Sequence, residues 1–272
     1  MFELISAIPG QKIISTHSPH VLAGAELDNV RVLRRQRDQI FVTSLSARLQ
    51  RSGMSVDDIA KLKRFVQREH GEILFARAVV LYEGETEEGA LPLFATHHWS
   101  VSAHTHGVSL VSCGGAGNFR HFVRGLDALG IPWVIFADGD AAGEGEVATA
   151  GDAIGRALDR ASVEVIMLPP GLDFEEYLVR SGCRGAVERA IEAVEGPGFL
   201  THQRSLLHGQ KARGEIVRDY ESAGWEDRLA IDLCRAKKTS YGREIAADIC
   251  GGGTLPPEVD RLLSRLDDIL GI

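Results

Sequence analysis

Acidic residues follow three short apolar runs in the middle of the chain. The first run ends in Glu83-Gly84-Glu85-Thr86-Glu87, a later one ends in Asp138-Gly139-Asp140, and a third leads into Asp173-Phe174-Glu175-Glu176. Carboxylates that gather at one place repel each other unless a cation lies between them, and hard oxygen ligands select Mg²⁺ or Mn²⁺. The pattern therefore predicts a divalent-metal site.

Within the first two groups, the spacing allows two carboxylates to face one cavity. Gly84 can supply a tight turn after Glu83, and Glu87 then falls in the first turn of a helix, where the helix dipole tolerates an anion. Residues two apart on an extended segment point to the same side, so Asp138 and Asp140 project together, roughly 7 Å apart at their Cα atoms. Each acid taken singly is explained better as a helix cap or a solvated loop residue, and only the joint pattern favours a metal site.

The elements that position these acids are predicted by the hydrophobic pattern. Nearly all-apolar runs are typical of parallel strands covered on both faces, and amphipathic stretches of helical period fill the gaps between them. Ligands of such an α/β sheet collect at the carboxyl ends of its strands. The predicted strands are residues 78–84, 108–113, 133–140 and 163–169, and the predicted helices are residues 86–97, 118–129, 146–161 and 173–181.

The flanking segments differ from this central α/β layer. Short strands are predicted at residues 12–22, 29–35 and 39–45, followed by a polar turn and a helix over 58–76. From about Arg184 the strand pattern vanishes, and helical periodicity with charged faces takes over. We therefore divide the chain into residues 1–50, a linker helix at 51–76, the α/β layer at 77–182 and a helical subdomain at 183–272.

The overall composition excludes several classes of protein. Lys and Arg number 30 against 38 Asp and Glu, a formal charge of −8, which argues against coating nucleic acid through bulk positive charge but permits metal-bridged contact at an acidic site. No apolar run approaches the roughly 18 residues that span a bilayer, and the first residues lack the pattern of a signal peptide. We expect a cytoplasmic protein with no membrane partner. The four cysteines are scattered singly, which predicts free thiols.

Three motifs resemble those of a known family. The segments VVLYEGETEEGALP, VSCGGAGNF and IFADGD are similar to the Toprim domain, the metal-binding module of topoisomerases, bacterial primases and several nucleases. The EGxTE form, the GGxGNF turn and the DxD motif together most resemble the nuclease Toprim of the OLD (overcoming lysogenization defect) family. The resemblance implies a Toprim-type parallel sheet flanked by helices. It also implies a metal-dependent DNA endonuclease or nickase that uses two Mg²⁺ or Mn²⁺ ions.

The segment upstream supports the same family. Residues 13–20, IISTHSPH, resemble the switch-histidine loop that ends an ABC-type ATPase domain, with His17 as the residue that senses the nucleotide. Taken alone, the segment is equally a polar loop after a strand. The chain contains no G-x-x-x-x-G-K-[ST] loop, so residues 1–50 are expected to be an ATPase remnant for which ATP matters only in a longer protein. The implied partners are DNA, an upstream ATPase domain and, through the ATPase part, a second copy in a homodimer.

The resemblance also implies the metal ligands. Four of them would be Glu83, which also acts in catalysis, and Glu87, Asp138 and Asp140. A later acid would complete the set, and the segment DFEEYL favours Glu175, with Asp173 next and Glu176 facing away if a helix begins here. An acid that only stabilises a helix N-terminus is nearly as good an interpretation of this segment.

Two further groups are candidates for contacts with phosphate. The turn that contains Gly114, Gly115 and Gly117 precedes a helix, so its N–H groups either cradle a phosphate or serve only tight packing. In the tail, Lys238 through Ala246 fits the KxxxxxxxA-like segment of OLD nucleases, whose lysine would offset charge on the pentavalent phosphorus. Lys237 is the rival, Arg235 and Arg243 belong to the same basic cluster, and a solvated helix face is the competing interpretation.

Other Toprim classes fit the sequence less well. A topoisomerase needs a nucleophilic tyrosine in a separate domain, and a primase normally brings clustered zinc cysteines. A Toprim ribonuclease of RNA processing keeps similar acids, so the choice of DNA depends on the ATPase-like segment. A non-catalytic module that binds nucleic acid through metal remains the alternative of a different class, although acids at every expected position argue against it.

Overall fold

A computed structural model describes residues 4, 5, 7–16, 18, 21, 22, 24–36, 38–60, 71–114, 118–215 and 224–272. Near its start, strands β1 (Arg31–Gln36) and β2 (Gln39–Ser44) form an antiparallel hairpin, which leads into helix α1 (Leu45–Arg51). Both hairpin strands match the sequence prediction. Residues 12–16 form no regular structure, and Ile13 is 94% exposed. The strand predicted over residues 12–22 is therefore wrong for residues 12–16, which pair with no other strand of the described chain.

The centre of the molecule is a four-stranded parallel sheet. Its strands are β3 (Ala78–Tyr82), β4 (Val108–Ser112), β5 (Trp133–Ala137) and β6 (Val165–Met167), in the spatial order β4-β3-β5-β6. Both β3 and β5 are buried along their whole length, as expected of apolar strands covered on both faces. The α/β class and all four predicted strands are therefore confirmed, and every strand ends at the same edge of the sheet.

Helices connect the strands and then make up the rest of the chain. The helices within the sheet region are α2 (Glu85–Trp99), α3 (Phe119–Leu129), α4 (Ala141–Ala153) and α5 (Phe174–Leu178). The tail contains α6 (Arg184–Glu195), α7 (Phe199–Ala212), α8 (Trp225–Ala236), α9 (Lys238–Gly252) and α10 (Pro257–Leu270), which confirms its predicted helical character. Across the described ranges, no helix has the length and apolar content that crossing a membrane requires.

The sheet carries a separate core on each face. Alternate residues of β3 point to opposite sides, so Val80 packs with α2 and the tail helices, whereas Val79 and Leu81 pack with α1, α3 and α4. Leu266 of α10 belongs to the first of these cores. The helical tail thus covers one face of the sheet and shares its core.

Two helices differ from their predicted bounds. Helix α4 begins at Ala141, five residues earlier than predicted, because the Asp140 side chain accepts a hydrogen bond from Gly143 N–H at 2.8 Å and caps it. It ends at Ala153, and Gly155 follows with φ +67°, a conformation that ends a helix readily. In the predicted linker helix, residues 56–60 are helical and Gly71–Phe75 form a 3-10 helix, while residues 61–70 lie outside the described part.

Candidate metal and phosphate site

The carboxyl edge of the sheet brings the first two acidic groups together. Because β3 and β5 are paired neighbours, Glu83 and Asp138 leave the sheet side by side. Helix α2 begins two residues after Glu83 with Gly84 as its N-cap, which places Glu87 in the first helical turn, only 4% exposed. An ordinary solvated cap would not be buried to this degree.

The turn after β5 is held against the loop that precedes α5. Gly139 N–H donates to Leu172 O at 2.8 Å, and a Cβ at Gly139 would lie 2.0 Å from Pro169 O, so only glycine fits this approach. This contact between the two loops brings the third acidic group close to the first two. Asp140 is committed to capping α4, as described above, through one of its carboxylate oxygens.

The three acids of the third group have different partners. Asp173 caps α5 by accepting from Glu176 N–H at 2.9 Å, and it also accepts from Arg235 Nε at 2.7 Å. Glu176 Oε2 accepts a hydrogen bond from Arg235 Nη2 at 3.2 Å. Glu175 is only 1% exposed and accepts a hydrogen bond from the Thr86 hydroxyl. Of the three, Glu175 is therefore the acid that faces the cluster at the sheet edge.

Helix α9 supplies a cation to this cluster. Lys238 is its first residue, and the Nζ atom lies 3.2 Å from Glu175 Oε2. Lys237 points elsewhere, because its Nζ donates to Glu195 Oε1 at 2.6 Å. The structure thus brings Lys238, and not Lys237, to the acids.

A close helix crossing fixes the position of α9. A Cβ at Gly242 would lie 2.4 Å from Thr86 O, and one at Gly89 would lie 2.8 Å from Arg243 N, so α2 and α9 touch through their backbones. Thr239 also donates to Glu85 Oε2 at 2.6 Å. Lys238 is therefore held by packing as well as by charge.

The electrostatics of the cluster favour binding of a cation. Burial, assisted by contact with Glu146 and by the charge of Asp138, raises the pKa of Glu83 to about 8. Burial and the charges of Asp173 and Glu175 raise the pKa of Asp138 to about 7, and burial holds the pKa of Glu87 well above its ordinary range. Ionisation of these carboxyl groups costs free energy because the protein supplies too little positive charge to balance them.

Four carboxylate oxygens at this edge are buried and accept no hydrogen bond from the described part of the chain. They belong to Glu83 (Oε1), Asp138 (Oδ1), Glu146 (Oε2) and Glu175 (Oε2), and the last of them lies 3.2 Å from Lys238 Nζ. Buried oxygens of this kind are normally satisfied, so their state fits a hard divalent cation such as Mg²⁺ or Mn²⁺. Within the described ranges, no group of three acidic, histidine or cysteine side chains is arranged to hold a metal ion as the structure stands. The buried oxygens without hydrogen bonds, and not a preformed cluster of ligands, are therefore what fits a cation here.

Sequence reasoning missed Glu146 and Thr86. Glu146 lies within the predicted helices as an ordinary polar residue, and only its position next to the buried Val147 hinted that it was not fully solvated. Thr86 is completely buried, although it stands between acids in the EGxTE motif. Its role depends on Glu175, 89 positions later, which no local pattern indicates.

Of the remaining predicted residues, the structure describes Gly114 and Arg243. Gly114 follows β4 with φ +67°, whereas Gly115, Gly117 and His17 lie outside the described residues. Arg243 is exposed on α9. Cys113 is buried, and all four cysteines are free thiols, as predicted.

Two family models match the chain. Residues 74–140 match the model described as "Overcoming lysogenization defect protein-like, TOPRIM domain". Residues 1–70 match a model described as "Protein of unknown function (DUF2813)". The boundary between the two matches falls next to the start of the sheet.

Two curated relatives are similar to parts of the chain. "Uncharacterized protein YbjD" of Escherichia coli K12 is 26% identical over 197 residues, which cover 71% of this chain and 34% of that protein. The "OLD nuclease" of Thermus scotoductus is 31% identical over 132 residues, 48% of this chain and 25% of that protein. The chain spans about a third or less of the length of these relatives.

Solved structures share the fold. The C-terminal region of the Xanthomonas campestris pv. campestris OLD protein superposes with a TM-score of 0.54 at 21% identity, covering 74% of this chain and 97% of that one. The C-terminal region of the Burkholderia pseudomallei OLD protein gives 0.52 at 17% identity, with 72% and 99% covered. At these identities the likeness concerns the fold alone.

Proposed function

The chain carries an OLD-like Toprim domain, and from that premise we propose that it is a divalent-metal-dependent DNA endonuclease or nickase. One observation carries the proposal. Buried carboxylate oxygens of Glu83 and Asp138, which accept no hydrogen bond from the described residues, lie at the carboxyl edge of the sheet, next to a lysine that packing holds in place. A site built for structure alone would pair these oxygens.

The metal ligands of the proposal are the acids on adjacent strand ends. Glu83 and Asp138 would hold the ions with their free oxygens, and Glu87 and Asp140 would contribute from the first turns of α2 and α4. Bound Mg²⁺ or Mn²⁺, in a two-ion arrangement, supplies charge neutralisation at the phosphate oxygens and activation of a water molecule. Glu83 is also the proposed catalytic acidic residue, as its position in the EGxTE motif implies.

Lys238 would balance negative charge that develops on the phosphate. Burial acts to lower the pKa of its ammonium, but Glu175 and Glu87 outweigh burial and raise it, so the group stays charged. Glu175 is fixed in turn by the Thr86 hydroxyl. Glu175 already contacts Lys238, so we assign it first to positioning that lysine and only secondarily to binding the metal. Asp173 is the weaker candidate for the metal because it accepts a hydrogen bond from Arg235.

The longer protein to which this activity would belong is also part of the proposal. Residues 1–50 would be the end of an ATPase domain, and residues 51–76, 77–182 and 183–272 the linker, nuclease and helical parts. DNA is the proposed substrate because the ATPase-like segment at residues 13–20 accompanies the Toprim motifs, and a relative in Thermus scotoductus is named "OLD nuclease". ATP, an upstream ATPase domain, homodimer formation through it and a cytoplasmic location are proposals for that longer protein.

A plasmid assay tests the proposed function. The purified chain is incubated with supercoiled plasmid and, separately, with single-stranded RNA in Mg²⁺, Mn²⁺, Ca²⁺ or EDTA. We expect nicked or linear plasmid in Mg²⁺ or Mn²⁺ and no product in EDTA, with RNA cut far less. Glu83→Gln should be inactive, whereas Glu144→Gln, an exposed acid paired with Arg160, should cut normally. Cleavage that survives exhaustive chelation would refute metal dependence, and preferential cleavage of RNA would refute the choice of substrate.

A further inference from the structure

Helix α4 presents two glutamates, Glu144 and Glu146, to different surroundings. Glu144 is exposed and pairs with Arg160 at 3.1 Å. Glu146 is partly buried, and its Oε2 atom is shielded from solvent. The two residues therefore differ in environment although they lie in consecutive turns of one helix and have the same side chain.

The close seating of α4 explains why Glu146 points inward. Asp140 caps the helix, and a Cβ at Gly143 would lie 2.4 Å from Asp138 O, so the helix backbone touches the end of β5 with no side chain between them. Glu146 lies three residues after Gly143 and hence on the neighbouring part of the same helix face. Val147, next to it, is fully buried in the core below.

Glu146 meets Glu83 at the sheet edge. The carboxyl group of Glu146 lies next to that of Glu83 and contributes to the raised pKa of Glu83, and Glu83 Oε1 and Glu146 Oε2 are each buried and accept no hydrogen bond from the described residues. The charges of both groups also act on the thiol of Cys113 at the end of β4. Glu146 is thus close to the ends of both β3 and β4.

Two carboxyl groups in contact must share either a proton or a cation, because both cannot be ionised side by side without one. The free oxygen on each favours a cation, since a shared proton satisfies only the oxygens that face each other. No arginine or lysine of the described ranges forms an ion pair with either residue.

We propose that Glu146 is an additional ligand of the divalent metal, acting together with Glu83, so that the ligand set extends from the strand ends onto helix α4. The inference rests on the proposed function for the existence of the metal site and goes beyond it in adding a ligand that the motifs do not contain. Its chemistry is that of a hard carboxylate oxygen for Mg²⁺ or Mn²⁺.

Metal binding measured without substrate tests this inference. Mn²⁺ is titrated calorimetrically into the full chain and into Glu146→Gln, Glu144→Gln and Glu83→Gln, and thermal melts are recorded in EDTA and in Mn²⁺. We expect Glu146→Gln to weaken Mn²⁺ binding by roughly 10-fold to 100-fold and to lose part of the Mn²⁺-induced rise in Tm. Glu144→Gln should bind as the unaltered chain does. In EDTA, Glu146→Gln should melt no lower than the unaltered chain, because its amide can donate to Glu83.

The outcomes separate this inference from the proposed function. Unchanged Mn²⁺ affinity in Glu146→Gln, with weakened affinity in Glu83→Gln, would overturn the role of Glu146 and leave the metal site intact. Absence of Mn²⁺ binding by the unaltered chain would overturn both. If Glu146→Gln melts early in EDTA, Glu146→Asp decides the question, because it keeps the carboxylate. Mn²⁺ affinity no higher in Glu146→Asp than in Glu146→Gln would also overturn the inference, whereas recovered affinity would support it.

Discussion

The two ends of helix α2 hold carboxylates in opposite ways. At its C-terminal end, Asp267 of α10 accepts from Trp99 Nε1 at 2.7 Å and lies 2.7 Å from His98 Nε2, so both of its oxygens are satisfied. At its N-terminal end, Glu83 and Asp138 each keep a buried oxygen with no partner in the described chain. The satisfied acid joins two helices, whereas the unsatisfied acids cost stability.

This contrast separates structural from functional acids. A buried polar group without a partner costs roughly 1–3 kcal/mol, and a protein retains it only where something outside the chain completes it. Helix α2 therefore binds the helical tail at its C-terminal end and lies beside the candidate site at its N-terminal end. Variants at the two ends should show opposite effects on stability and cleavage.

The largest expected effect is on cleavage by Asp138→Asn. This change removes a ligand charge, so we expect plasmid cleavage in Mn²⁺ to fall to background while the metal-free protein melts no lower, because repulsion with Asp173 and Glu175 is relieved. Its counterpart, Asp267→Asn, should cleave normally but lose about 1–3 kcal/mol of stability. Cleavage assays and melts in EDTA measure both. Early melting of Asp138→Asn would instead mark that residue as structural.

The next effect distinguishes the two adjacent lysines. Lys238→Ala should lower the single-turnover cleavage rate by about 10²–10³, or roughly 2.7–4 kcal/mol, with little change in DNA affinity measured in Ca²⁺. Lys237→Ala, which breaks only an exposed pair with Glu195, should cleave as the unaltered chain does. Melts confirm that both variants fold. An unaltered rate in Lys238→Ala would remove this lysine from the site and direct attention to Arg243.

A smaller effect tests the helix crossing that carries Lys238. Gly242→Ala would place a methyl group 2.4 Å from Thr86 O, so α2 and α9 must separate, at a cost of about 1–3 kcal/mol. The matched change Gly251→Ala, in the same helix but facing open space, should be neutral or slightly stabilising. Urea unfolding measures both free energies. Equal stability of the two variants would show that the crossing adapts and does not fix Lys238.

The smallest expected effect is the pH dependence of stability without metal. Glu83 and Asp138 have pKa values raised to about 8 and about 7, above those of the unfolded chain, so the folded state holds protons that the unfolded state releases. Their contribution to stability is fully present below about pH 4 and is lost as the pH rises through 7 and 8. In EDTA, Tm should thus fall by a few degrees between pH 5 and pH 8, and less so in Glu83→Gln. A Tm that rises over this interval would contradict the raised values.

Much of the α/β layer could be predicted because its signals are local. Apolar runs such as those ending at Tyr82 and Ala137 can only be strands buried on both faces, and the acids that follow them then share one edge. The strand predicted over residues 12–22 failed for residues 12–16 because an apolar run forms a strand only with a neighbour to pair with.

The sequence by itself determined the sheet and the edge where the acids meet, since residue type and a period of 2 or 3.6 decide these locally. That the ligand of these acids is a divalent metal stays a prediction. Only the tertiary structure decided which acid and which lysine face each other. Glu175 differs from Asp173 through contacts with Thr86 and Arg235, and Lys238 differs from Lys237 through a helix crossing at Gly242. Glu146 likewise lies beside Glu83 because α4 touches the end of β5 at Gly143. The contacting residues lie far apart along the chain. Tertiary packing therefore decides which of two nearby residues with the same chemistry reaches the cluster.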